Sequence, residues 1–272
     1  MEYLKNGLYG LLIGVANAIP GVSGGTMAVI LNVYDKIMFS ISRTNIRQNL
    51  KFLIPLAVGA GVGIFALSQV IVTAMETYPV ILNFCFIGLV VGSMPALYKK
   101  TKGAEGDKIK SSNWFAFAIA LIVMIVMVFS NPDAVANQSL EEMGGVSAPL
   151  LIRICATSII CMIAMILPGL SGSLVMLLLG CYAVVMEAVA TINLPILGAV
   201  GVGVIIGGVL GVKVIKNMLR FHPQALYCGI LGLMVGSIFV IWPGFTGGIQ
   251  MVIAVVGFAG FTLAAYLLSS RK

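Results

Sequence analysis

Polar residues and helix breakers divide the chain into apolar runs, and the lengths of those runs predict the elements. Six runs are long enough to cross a bilayer as single helices: about 52–75, 80–97 and 113–130, then about 196–215, 224–241 and 249–269. A hydrocarbon core of about 30 Å asks for roughly 20 helical residues. Each trio is preceded by two shorter arms, about 6–19 and 26–41 in one case, about 150–167 and 174–190 in the other. The first two arms, of fourteen to sixteen residues, reach only about 21–24 Å at 1.5 Å per residue. They predict a re-entrant helical hairpin, residues 6–41, that enters and leaves on one side. The arms of the second hairpin, residues 150–190, are slightly longer, so length argues with less force there.

Between the arms of each hairpin lies a break. It reads Ile19-Pro20-Gly21-Val22-Ser23-Gly24-Gly25-Thr26 in the first and Leu167-Pro168-Gly169-Leu170-Ser171-Gly172-Ser173 in the second. Pro removes a backbone donor and Gly frees the chain to turn. A backbone opened at membrane depth must be satisfied by protein or by a water-filled cavity. Two such openings suggest a binding site built from broken helices.

The similarity extends past the breaks. At a shift of 148 positions, Lys5 falls on Arg153, Tyr34 on Tyr182 and Met38 on Met186. Further on, Tyr78-Pro79, Gly88-Leu89 and Gly92-Ser93 line up with His222-Pro223, Gly232-Leu233 and Gly236-Ser237. These matches predict two homologous halves, 1–130 and 150–272, joined by a linker at 131–149. Because the first break recurs internally, Lys5 and the Ala16-Asn17-Ala18 stretch are not read as a signal peptide, despite the cleavage-site look of the latter.

Charge sets the orientation. The loops with Arg43, Arg47 and Lys51, with Lys99, Lys100, Lys102, Lys108 and Lys110, and with Lys216 and Arg220 are basic, as is Arg271-Lys272. Cytoplasmic placement of all of them agrees with the segment count and puts both termini inside. Glu76 and the linker with Asp133, Glu141 and Glu142 then fall outside. An odd number of crossings per half inverts the second half, so the hairpins enter from opposite faces. The fold expected is an all-α polytopic membrane protein of two inverted repeats, each a hairpin plus three transmembrane helices.

Composition supports the membrane class and excludes others. Of 272 residues, 60% are hydrophobic and 9% charged, far from a soluble balance. The net charge of +7 is scattered in short loops, which suits anionic lipid rather than nucleic acid. The five Cys all lie in apolar segments without a CxxC pair, and read as small core residues. The single His222 supports no metal site. Small-xxx-small spacings at Gly59/Gly63, Gly88/Gly92, Gly203/Gly207, Gly207/Gly211 and Gly232/Gly236 read as close helix packing.

Candidate chemistry gathers at the hairpins. Ser23, Thr26, Ser171 and Ser173 offer hydroxyls, while Gly24, Gly25 and Gly172 admit a ligand to main-chain N–H groups. A helix starting after each break would offer free donors to a phosphate or carboxylate. The alternative is a Pro-Gly kink that only shapes the hairpin. Lys5 and Arg153 at the hairpin bases read either as snorkelling cations or as phosphate ligands. Asp35, beside Lys36, reads as a coupling carboxylate or as a solvated interfacial charge. Glu187 aligns with no acid in the first half, and Ala183 occupies the position matching Asp35.

The run Gly14-Val15-Ala16-Asn17-Ala18-Ile19-Pro20-Gly21-Val22-Ser23-Gly24-Gly25-Thr26 with Tyr34-Asp35 resembles a signature of the bacterial polyprenyl-phosphate transporter (PopT) family. Ala164-Met165-Ile166-Leu167-Pro168-Gly169-Leu170-Ser171-Gly172-Ser173 resembles that family's second signature. The resemblance covers essentially the whole chain. It implies a plasma-membrane translocase, not an enzyme, that returns undecaprenyl phosphate from the outer to the cytoplasmic leaflet for envelope-polymer synthesis. On that footing Lys5, Asn17, Pro20, Ser23, Gly24, Gly25, Thr26, Arg153, Pro168, Ser171, Gly172 and Ser173 are expected at the substrate, and Asp35 and Glu187 in coupling. Ala183 departs from the acid expected after the second Tyr, which breaks a symmetric coupling scheme. No cofactor is implied beyond a coupling proton or sodium ion; the partners implied are the lipid substrate and the bilayer, with no nucleic acid and no particular oligomeric state. The alternative class is an ion-coupled carrier or channel for a small anion. A scaffold role is disfavoured by the short loops, and a lipid phosphatase by the lack of a visible nucleophile or metal cluster.

Overall fold

The computed structural model describes residues 2–17, 23–41, 45–102, 108–129, 140–141 and 143–270, and the regular structure in them is helical throughout. The first half holds α1 (Glu2–Asn17), α2 (Gly24–Ile30), α3 (Tyr34–Ser40), α4 (Leu50–Thr77), α5 (Pro79–Thr101) and α6 (Ser111–Phe129). The second holds α7 (Ala148–Ile166), α8 (Gly172–Leu178), α9 (Tyr182–Ala190), α10 (Leu194–Phe221), α11 (Pro223–Ile241) and α12 (Ile249–Ser270). Among the described residues, α5, α6, α7, α10, α11 and α12 are long and apolar enough to cross a membrane. The protein is an all-helical, multi-pass membrane protein. Most of the linker and Pro20 lie outside the described residues.

Proline places the joints. Pro79 and Pro223 open α5 and α11, where a missing N–H costs nothing. The residue before each proline is pushed out of helical geometry. Tyr78 (φ −132°, ψ 53°) and His222 (φ −138°, ψ 50°) duly form single-residue joints from α4 to α5 and from α10 to α11.

Neither second arm is one helix. The stretch expected at 26–41 divides into α2 and α3, and that at 174–190 into α8 and α9, the latter two bent by 113°. The cause is a Schellman ending at the same place in both. Val33 N–H donates to Ala28 O and Asn32 N–H to Val29 O; Cys181 N–H donates to Met176 O and Gly180 N–H to Leu177 O. Asn32 (φ 56°) and Gly180 (φ 69°) take the left-handed position that stops the helix. The arm α7, at 19 residues, is itself of spanning length, so the bend rather than the arm length marks the second hairpin as irregular.

Glycines set the packing. The most extensive helix pairings are α1 with α4, α7 with α10, α5 with α12 and α6 with α11. A Cβ at Gly14 or Gly63 would collide with the backbone of the facing helix in the α1–α4 pair. One at Gly203 would lie 2.5 Å from Cys155 O, and one at Gly88 would lie 2.5 Å from Phe258 O. The small-residue spacings are therefore close-approach sites, as membrane helices without a hydrophobic drive require. Two pairings stay within a half. The other two cross, so that each half's last helix lies on the other half's middle helix.

The largest buried cluster surrounds the first hairpin. Met27, Ile30, Tyr34 and Met38 pack there against Phe86 and Val90 of α5 and Leu226, Ile230 and Met234 of α11. By contrast α6 and α12 turn Phe115, Ile119, Ile122, Val252, Val256 and Leu263 outward, as lipid-facing helices do. All five cysteines are free thiols at buried or half-buried positions.

Candidate functional site

The tips of the two hairpins meet. Ser23 caps α2: its Oγ accepts from Thr26 N–H at 3.1 Å and shares a 3.0 Å hydrogen bond with Thr26 Oγ1. Asn17, at the end of α1, accepts from Gly24 N–H at 2.9 Å. Across the junction Gly169 N–H of the second break donates to Thr26 Oγ1 at 2.9 Å and to Ser23 Oγ at 3.3 Å. Space is tight on both sides. A Cβ on Gly25 would stand 3.3 Å from Pro168, and one on Gly169 (φ +92°) would stand 2.8 Å from the backbone of Leu233. The paired breaks thus form one buried polar contact, with Ser23 and Thr26 only 4% and 2% exposed.

At the first break, two of the donors expected to be free are already engaged. Asn17 and Ser23 already satisfy Gly24 N–H and Thr26 N–H, because a helix start buried in protein must be capped. The helices α2 and α8 have seven residues each, too short for a developed dipole. At the second break Ser171 makes no capping bond. Its hydroxyl instead bonds that of Ser173 at 2.7 Å, on the exposed side.

Lys5 and Arg153 lie away from the two breaks. A seven-residue helix is about 10 Å long, and Arg153 lies at the far end of α8 from Ser171. Exposed Arg153 donates from its guanidinium to Leu179 O at 3.1 Å, at the carbonyl end of α8. Lys5 lines a cavity of about 440 Å³ with Asn6, Tyr9, Asn32, Lys36 and Glu2. Its Nζ lies 5.6 Å from the Tyr9 ring centroid, and Lys36 Nζ lies 4.3 Å from that of Phe52. Two ammonium groups held over aromatic faces thus stand at this polar cavity together with the Glu2 carboxylate. Sequence reasoning singled out Lys5 but not Lys36, Asn6 or Asn32 as cavity residues. Their one signal was the helical spacing of Lys5, Asn6 and Tyr9, which needs the α2–α3 turn opposite to become a site.

The two carboxylates are far from equivalent. Asp35 pairs with Lys100 Nζ at 2.7 Å and accepts from Tyr227 Oη at 2.7 Å, tying α3 to α5 and α11. The pair is partly open to solvent, at 27% for Lys100 and 31% for Asp35. Glu187 accepts from Leu140 N–H at 3.0 Å and so anchors the middle of the linker on α9. Lys100 and Tyr227 escaped sequence reasoning because only the folded chain brings them to Asp35. Among the described residues, no group of three or more His, Cys, Asp or Glu is placed to hold a metal ion.

Known proteins connect this geometry to a family. The chain is 32% identical over 267 residues to a polyprenyl-phosphate transporter of Staphylococcus aureus, covering 93% of each chain. It is 31% identical over 265 residues to a polyprenyl-phosphate transporter of Vibrio cholerae, covering 89% of this chain and 79% of that one. No solved structure matches. The VCA0040-like family model, described as undecaprenyl phosphate translocase-like, matches residues 13–255, and the chain belongs to that family.

Proposed function

We propose that this protein carries undecaprenyl phosphate, or a closely similar polyprenyl phosphate, from the outer to the cytoplasmic leaflet of a bacterial plasma membrane for reuse in envelope-polymer synthesis. The observation that carries the reading is the tip junction. There a backbone N–H and two hydroxyls meet inside an otherwise apolar body, where a phosphate crossing the bilayer needs replacements for water. The bulk of the long tail stays in lipid, which is already its solvent. Arg153 receives the head group at the outer mouth, and the exposed Ser171–Ser173 pair takes it inward. At the junction the phosphate competes for Gly169 N–H and the hydroxyls of Ser23 and Thr26. Lys5 and Lys36 receive it at the inner mouth. The process breaks no bond in the lipid.

The scheme requires the two hairpins to open to opposite faces, with the basic loops and both termini in the cytoplasm. In a background without native cysteines, Arg43→Cys and Thr191→Cys should label from opposite sides. Labelling from one side rules out the inverted arrangement. Coupling is assigned to Asp35, whose ion pair with Lys100 a proton or sodium ion would compete for, with Glu187 in a supporting place.

The decisive assay uses proteoliposomes loaded with undecaprenyl phosphate and an external phosphatase that cannot cross the membrane. The protein should change the phosphatase-accessible pool, and an imposed proton or sodium gradient should set the direction. Flux of inorganic phosphate without any lipid movement would favour a small-anion carrier instead.

A further inference from the structure

Below the second break lies a crevice of about 200 Å³ among α7, α8, Tyr182 of α9 and Val204 of α10. Met162, Met165 and Met176 line it, together with Ser158 and Cys161. It shares Gly172 and Ser173 with the break, so it opens beside the exposed hydroxyl pair. Ser158 is fully buried, and its hydroxyl has no hydrogen-bond partner among the described residues. An orphaned buried hydroxyl is costly and is expected to have a use. At the matching place in the first half, the described residues offer no hydroxyl. Gly10 occupies the position of Ser158 there, closed against the backbone of Leu56.

We propose that this crevice receives the isoprene units next to the phosphate of the substrate, and so reads the lipid as a polyprenyl chain. The inference rests on the polyprenyl-phosphate reading and adds a site for the tail. Thioethers are polarisable and flexible; they fill irregular space and make favourable contacts with π systems. An isoprene unit presents both a methyl branch and a double bond. A straight saturated chain presents neither. Ser158 supplies a hydrogen bond to the bridging oxygen that joins the chain to the phosphate, while Ser173 stays beside the head group. The polar inner cavity at Lys5 and Lys36 grips the head alone, whereas the second hairpin grips the head together with the first stretch of tail.

The test uses the native thiol of Cys161 as a reporter, in full-length protein with Cys85, Cys155, Cys181 and Cys228 replaced by Ala and a retained thermal transition. Modification by N-ethylmaleimide is followed with geranylgeranyl monophosphate or hexadecyl monophosphate present. The isoprenoid should slow modification along its own binding curve, and the linear phosphate should not. In binding assays wild-type protein should prefer the isoprenoid by about tenfold, the scale on which a hydrophobic pocket discriminates small shape differences. Gly172→Ala, whose Cβ would stand 3.4 Å from Cys161 O and 3.5 Å from Met165 Cβ, should narrow the entrance and bring the two ligands to near parity. Should Cys161 resist the reagent altogether, the Gly172→Ala comparison decides. Full binding of the isoprenoid with Cys161 unprotected, equal protection by hexadecyl phosphate, or an unchanged preference in Gly172→Ala overturns the crevice and leaves transport standing. Failure of wild-type protein to bind undecaprenyl phosphate overturns both.

Discussion

In the first hairpin six of the seven residues of α2 are buried; in the second, Val175 is the one buried residue of α8. The two helices have the same length, follow matched breaks and end in the same left-handed turn. Their environments differ because α2 is enclosed by α1, α5 and α12, whereas α8 packs mainly on α7. Ser23 and Thr26 are consequently a socket, engaged with their own backbone and with Gly169. Among the described residues, the hydroxyls of Ser171 and Ser173 are engaged only with each other. Duplicated sequence has produced one fixed contact and one available surface, and the contrast can be tested residue by residue.

The largest effect is expected at Gly169. Its positive φ and its contact with Leu233 leave no room for a side chain, so Gly169→Ala should lower the thermal transition sharply and abolish transport, on the order of 1–3 kcal/mol from backbone strain with collision added. Gly172→Ala, with only ordinary contacts, should melt near wild type. Equal melting of the two variants would show that the junction is not the fixed point. Next comes Thr26→Val, which keeps the shape and leaves Gly169 N–H only the longer of its two acceptors, Ser23 Oγ at 3.3 Å. A buried donor left wholly unsatisfied costs about 1–3 kcal/mol, so thermal stability should fall by part of that. The double variant Ser171→Ala/Ser173→Ala should leave stability within roughly 0.5 kcal/mol and still reduce lipid binding. A stability loss there would make the second pair structural as well.

Smaller effects separate the charges. Asp35→Asn removes a partly exposed ion pair worth about 0–1 kcal/mol. It should melt only slightly lower while losing the response of transport to an imposed gradient. An unchanged response excludes Asp35 from coupling. The smallest change is expected for Arg153→Lys, which loses the fork that can hold a phosphate at two points. It should weaken lipid binding less than Arg153→Ala does and leave the melting temperature unmoved. Identical binding in all three proteins would reduce Arg153 to a cap on Leu179.

Much of this was legible along the chain because its causes are local. Pro79 and Pro223 fix their joints through their own rings, and each glycine spacing fixes how near a neighbour can come. The splitting of the second arms was not legible from Asn32, a residue that enters the left-handed region only when its surroundings reward it. Gly180 carried the clearer signal at the matching place. The meeting of Gly169 with Thr26 joins residues 143 positions apart, and Asp35 finds Tyr227 across 192. Such contacts follow from how helices stack, which no spacing along the chain encodes. The matched cations also suggested equal roles. Only the folded surroundings distinguish Lys5 at a cavity from Arg153 on a carbonyl.

The crossed helix pairs bear on how the protein is made. The glycine face of α5, at Gly88 and Gly92, is covered by α12, the last helix described, and α6 is paired with α11. During synthesis the first half therefore enters the bilayer with a groove that stays open until the end of the second half has been inserted. Membrane quality control would meet that groove in every incomplete chain. The two halves made as separate polypeptides should each be short-lived alone and stabilise one another when produced together.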